Sequence, residues 1–324
     1  MKQKIARRGA LAAACLALAG AAWAQAPAWP AKPVRIVVGF APGGSTDVMA
    51  RIVAQSVGEA IAQTVVIDNK PGASGNIAAA EVVRAAPDGH TFLIAPTSVE
   101  TANPWLFKSN LLPSRDLTPV GTIGKTQMYL VAKPQIAAKD VRELVALARS
   151  QPGKLSYASA GTGTPPHLAC ELFKQASGTF ITHIPYRGAA PALQDVLSGQ
   201  ADFVCDPGIA FPHIRTGKVK LLGVVSAKRS PFFPDVPTVG EQGVAGADLD
   251  IWFGLWAPKG TPPEILARMN KELARALAQP ALAKRYGDLG AEPVAMEQAE
   301  FRALLQREGQ QLETLIKTQG ISVE

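Results

Sequence analysis

Aromatic side chains are few, 6% of a 324-residue chain whose hydrophobic content is 47%. With Ala and Gly plentiful, that balance suits close-packed α/β layers better than an all-β sandwich. Catalytic signatures are missing too. There is no G-x-S-x-G nucleophile elbow and no phosphate-binding G-x-x-x-x-G-K-[ST], and Gly161-Thr162-Gly163 lacks the third glycine of a dinucleotide fingerprint. His90, His167, His183 and His213 are scattered, without metal-ligand spacing. These gaps point away from an enzyme, and no metal or cofactor is expected. Ser159 with His167 as its base is the one imaginable nucleophile, and a polar turn is the plainer reading of the same residues.

Excess charge is also absent once the start of the chain is set aside. Of the net +7, four charges belong to Lys2, Lys4, Arg7 and Arg8, which leaves about +3. That is too little to argue for nucleic acid, and no basic run with interleaved aromatics appears. The four cations precede an uncharged run from Ala10 to Ala22 and a small-x-small site at Ala22-Trp23-Ala24. This is the layout of a secretory signal peptide, read as residues 1–24, and it places the rest in the periplasm. Arg7-Arg8 would suit twin-arginine export, but the Sec route fits better. A lipoprotein reading at Cys15 would discard half of the apolar run. No later stretch approaches the roughly 20 apolar residues of a membrane span. Outside the leader, Cys170 and Cys205 are permitted to pair in an oxidising compartment. Spacing does not fix their geometry, and they read as two buried small hydrophobes.

What is present is a repeated alternation. Val34–Val38 reads as a strand, followed by a Gly-rich turn and a helix from Thr46 with Met49, Ile52, Val53 and Val57 on one face. Strands at 65–67 and 91–95 bracket a helix over 77–84. The rhythm restarts with a helix over 141–149, a strand over 155–159, a second Gly-rich turn and a helix from about Pro165. A helix over 191–197 and strands at 203–204 and 219–225 follow. Such β-α-β units imply parallel pairing. Two extended apolar runs, 128–132 and 251–256, are candidates for the segments that cross between two lobes. The helical remainder from Pro263 to about Lys317 is expected to pack back on the first lobe. The expected division is 25–124 with 256–324 as one discontinuous lobe and 125–255 as the other.

Each Gly-rich turn joins a strand end to a helix start. There the first N–H groups lack intrahelical partners and the helix dipole adds positive potential. Gly43, Gly44, Gly161 and Gly163 carry no Cβ to hold an anion away, and Ser45, Thr46, Thr162 and Thr164 add hydroxyls. Two such turns in consecutive units suggest one shared anion site at the carboxyl ends of the strands.

Several stretches carry a resemblance across essentially the whole chain after the leader. They are Gly39-Phe40-Ala41-Pro42-Gly43-Gly44-Ser45-Thr46-Asp47, Asn69–Asn76, Ala86-Pro87-Asp88-Gly89, Tyr157–Thr164, His167-Leu168-Ala169, Pro185-Tyr186-Arg187-Gly188 and Asp235-Val236-Pro237-Thr238. Together they resemble the Bug solute receptors, the extracytoplasmic subunits of tripartite tricarboxylate transporters. The resemblance implies a two-lobed periplasmic-binding-protein fold of the Venus-flytrap, type II-like kind, with mixed, mainly parallel sheets. It also implies a small carboxylate ligand (a dicarboxylate, amino acid or aromatic acid) and membrane permease subunits as partners of a monomeric receptor. Carried over by position, the ligand would meet Phe40, Ala41, Gly43, Gly44, Ser45, Thr46 and Asp47 from the first turn. Ser159, Ala160, Gly161, Thr162, Gly163, Thr164 and His167 would come from the second, with Thr97, Ser98 and Asp206 completing the cleft. Asp47 could equally complement the helix dipole, His167 in a first turn more often caps or packs, and Arg187 reads as a supporting residue behind the ligand contacts or a surface residue. The chain departs from the pattern at Asp206-Pro207, where Asp-Asn is common and where proline removes a backbone donor. It departs again at Leu112–Asp116. A periplasmic sensor would share these features, and an α/β hydrolase is the remaining alternative.

Overall fold

The computed structural model describes residues 29–108 and 112–322; the leader and its Cys15 lie outside the described residues. Two sheets organise the chain. The first has six strands in the order β11-β4-β10-β3-β1-β2 and the second five, β7-β6-β8-β5-β9. The strands are β1 (Val34–Val38), β2 (Val65–Asn69), β3 (Thr91–Pro96), β4 (Leu117–Thr126), β5 (Tyr129–Ala132), β6 (Ser156–Ser159), β7 (Thr182–Pro185), β8 (Phe203–Asp206), β9 (Lys220–Val224), β10 (Ile251–Pro258) and β11 (Ala291–Glu292). The longer helices are α1 (Ser45–Ile61), α2 (Asn76–Val83), α3 (Val141–Ser150), α4 (Pro165–Ser177), α5 (Ala189–Ser198), α6 (Pro263–Leu277), α7 (Pro280–Gly287) and α8 (Gln298–Gln319).

Pairing is parallel within each β-α-β unit. β1 lies between β2 and β3, and β6 between β7 and β8. Antiparallel pairs arise where the chain passes between sheets, since β10 inserts between β3 and β4, and β5 between β8 and β9. The apolar face of α1 behaves as its spacing predicts, with Met49, Ile52, Val53 and Val57 all buried. The C-terminal helices cover the first sheet. Phe301 and Leu305 of α8 join Val37, Leu93 and Trp256 in one cluster, and the Trp256 and Phe301 rings lie 5.2 Å apart. Deleting a buried ring such as that of Phe301 costs about 3–5 kcal/mol.

The chain crosses from the first sheet to the second between Thr126 and Tyr129, and returns between Val224 and Ile251. The two crossings bond to one another. Val225 donates its N–H to the Met128 carbonyl at 2.7 Å, and Gln127 Nε2 reaches the Ser226 hydroxyl at 3.2 Å and the Lys228 carbonyl at 2.9 Å. No helix among the described residues is long and apolar enough to cross a membrane.

Cys170 and Cys205 correct the reading of two free thiols. They are fully buried, but they form a disulfide with Cα atoms 5.9 Å apart. The cause is facing geometry. Cys205 shares the helix-facing side of β8 with Phe203, while Cys170 shares one face of α4 with Phe173, whose ring packs edge-on against Phe203.

Candidate functional site

The first turn begins where β1 ends. Gly43 adopts φ +84, a left-handed conformation that glycine enters without steric cost. Asp47, one turn into α1, fastens this bend: its carboxylate accepts from Gly43 N at 2.9 Å, Asn69 Nδ2 at 2.9 Å and Arg51 Nε at 3.0 Å. Burial works against its ionisation, but the bonds from Arg51, Gly43 and Asn69 prevail and hold it below the usual carboxylate range. Both Asp47 oxygens are therefore engaged by the protein. Gly44 is the N-cap of α1 and no side chain caps the helix. The N–H groups of Gly44, Ser45 and Thr46 and the hydroxyls of Ser45 and Thr46 meet no acceptor among the described residues. This helix end is an unfilled set of donors with the macrodipole behind it.

The second turn differs, because its glycine donors are used internally. Gly161 N–H bonds the Ser159 hydroxyl at 3.1 Å, and Gly163 N–H bonds His167 Nδ1 at 3.2 Å. The Gly161 carbonyl accepts from Thr164 Oγ1 at 2.6 Å. The first two positions of α4 are Pro165 and Pro166, which have no N–H to offer. Because Nδ1 of His167 accepts, that imidazole is neutral. Burial lowers its pKa to about 4. His183, 4.3 Å away between ring centroids, is lowered to about 4 by burial and then by the charge His167 would carry. It is His183, not His167, that bonds the Ser159 hydroxyl, at 2.7 Å, and Ser159 is wholly buried. These three side chains act as struts beneath the turn.

A third helix end completes the arrangement. β7 leads through Gly188, at φ +152, into α5, again with no side-chain cap. Ala41 N–H bonds the Arg187 carbonyl at 3.3 Å, which brings this end against the first turn. A Cβ built on Gly44 would lie 3.8 Å from the Ala189 nitrogen, so the two uncapped ends face one another. The sequence reading passed over Ala189, although the same strand–glycine–helix pattern was visible in Pro185–Ala189. The Arg187 side chain itself is exposed.

The lobes are in contact. Ser74 Oγ bonds the Thr162 carbonyl, and a Cβ on Gly163 would stand 2.9 Å from the Phe107 ring. The cavity between them is about 20 Å³, room for one water molecule. Of the residues expected in the cleft, Phe40, Gly44, Ser45, Thr46, Ala160 and Thr164 line it. Ala41, Gly43, Asp47, Ser159, Gly161, Thr162, Gly163 and His167 are not in this lining; Thr162 and His167 line a separate open cavity of about 650 Å³ with Glu171, Lys174 and His183. Thr97 and Ser98 are buried outside the lining, and the Thr97 hydroxyl donates to Glu308 at 2.7 Å. Asp206 is buried behind Pro207. One oxygen accepts from Gly208 N at 2.7 Å and Ala210 N at 3.0 Å, while Oδ1 meets no donor among the described residues. Burial raises its pKa to about 7 against the pull of those two bonds. Among the described residues, no cluster of His, Cys, Asp or Glu is arranged to hold a metal ion.

Two lobes on two sheets, joined by paired crossings and facing each other across opposed helix ends, define the class of two-lobed solute-binding receptors. The chain belongs to the tripartite tricarboxylate transporter family of receptors, whose profile matches residues 49–321. It is 34% identical to Protein BugT of Bordetella pertussis (strain Tohama I) over 318 residues, covering 95% of this chain and 96% of BugT. The solved structure of Rpa4515 from R. palustris with adipate superposes with a TM-score of 0.88 at 34% identity, covering 91% of this chain and all of that one. MatC from Rhodopseudomonas palustris with bound malate gives 0.84 at 35% identity, covering 89% of this chain and all of that one.

Proposed function

We propose that this protein is a periplasmic receptor that captures a small carboxylate metabolite between its lobes and delivers it to membrane permease subunits. One observation carries the reading: the donors of Gly44, Ser45 and Thr46 stand open, opposite the equally uncapped start of α5. An anion held there needs no lysine or arginine, because charge-assisted bonds contribute roughly 1.5–3 kcal/mol each and a few suffice for micromolar affinity. The relatives solved with adipate and malate support a carboxylate as that anion. The basic leader and family membership support export. Exchange of ligand proceeds by opening about the crossings at 126–129 and 224–251, with 25–124 and 256–324 moving against 125–255.

Native mass spectrometry of gently purified protein tests the reading. We expect a co-purifying organic acid that is lost on denaturation and rebinds, and whose primary amide does not. Retention of the amide as firmly as the acid would overturn the carboxylate assignment.

A further inference from the structure

Beyond the anchoring end, the cleft changes character. Besides the residues of the turns, Pro96, Pro165, Pro166, Pro207, Ile251 and Phe253 line it as an apolar wall, and no lysine, arginine, histidine, asparagine or glutamine does. Four of these six are prolines, so the backbone of the wall is as poor in donors as its side chains. The ionisable groups next to these residues in the chain are Asp206 beside Pro207, Asp250 beside Ile251 and His167 beside Pro166; two are acids, and the histidine is neutral with its Nδ1 taken by Gly163. From this we infer that the ligand is a monocarboxylate with a compact apolar body, aromatic or branched aliphatic, and that diacids are selected against.

The reason is desolvation. A second carboxylate pushed against this wall would lose its water and gain neither a donor nor a countercharge, the case in which burying a charge is most unfavourable. An apolar body gains from the same wall, because ring and proline faces leave water together. The inference rests on the carboxylate anchor proposed above. It separates this chain from relatives that hold adipate or malate, which carry an acid at each end.

Calorimetry on the purified protein with two matched pairs, benzoate against terephthalate and hexanoate against adipate, tests it, with benzamide as the control. We expect the monoacid of at least one pair to bind 30-fold or more tighter than its diacid, and benzamide not to bind. Pro207→Asn, which returns a backbone N–H and adds an amide to the wall, is expected to narrow that ratio at least fivefold. Diacids binding as tightly as monoacids, or a ratio indifferent to Pro207→Asn, would overturn the inference and leave the anchor standing. Benzamide binding like benzoate would overturn the anchor instead, and failure of all four acids would overturn both.

Discussion

Gly44 caps α1 whereas Gly163 stands one residue before Thr164, the cap of α4, and a side chain would meet different things at each. At Gly44 the backbone has φ −76, and a Cβ would make ordinary contacts of 3.6–3.9 Å. At Gly163 the backbone is left-handed, and a Cβ would press into Phe107. Gly163→Val is therefore a stability variant, expected to lower the unfolding free energy by about 1–3 kcal/mol in denaturant titration; an unchanged midpoint would contradict the assignment. The buried ionisable groups give a second test. For Asp206 the folded pKa is raised, to about 7, so its penalty is absent at low pH and grows as pH climbs from its ordinary value toward 7. Asp206→Asn should raise the melting temperature relative to the native protein progressively over that interval, and a pH-independent difference would refute this. His167 and His183 act in the opposite sense. Their folded pKa values are depressed to about 4, so the stability they contribute as neutral rings is lost as pH falls from about 6.5 toward 4. A calorimetric melting profile flat across that range would show the rings are not held neutral.

Among the elements, the two units at β1–α1 and β6–α4 were legible because two local signals agree in them: short apolar runs of strand length, and glycine followed by Ser or Thr at the helix start. The helix face of Met49, Ile52, Val53 and Val57 follows from its spacing, and the strand read at 91–95 is observed at Thr91–Pro96. The Cys170–Cys205 bond was not legible, since it depends on α4 lying over β8, a contact between segments 35 residues apart in sequence. The bonding partners of Asp47, Ser159 and His167 were only partly legible, because Asn69 and His183 come from remote segments while Arg51 and Gly163 lie four residues away. Because the disulfide ties the helix behind the second turn to the sheet beneath it, Cys170→Ala with Cys205→Ala should cost about 4 kcal/mol by loop-closure entropy across 35 residues. A loss below about 1 kcal/mol in denaturant titration would mean that packing alone holds α4.

For the whole molecule, a cavity of about 20 Å³ cannot hold a metabolite, so the proposed capture between the lobes predicts that they part and close again. Small-angle scattering should show a smaller radius of gyration with ligand than without, and an unchanged radius would contradict hinge closure. The location of the anchor, though, is the claim on which the account stands. Gly44→Val fits the local backbone but places its methyl groups over the open donors and toward the Ala189 nitrogen. Calorimetry of this variant, with the acid recovered from the native protein, tests that location most directly. The account predicts affinity reduced at least 100-fold, about 2.7 kcal/mol, with the melting temperature nearly unchanged. Native affinity in the valine variant would contradict it and would place the carboxylate away from the facing ends of α1 and α5.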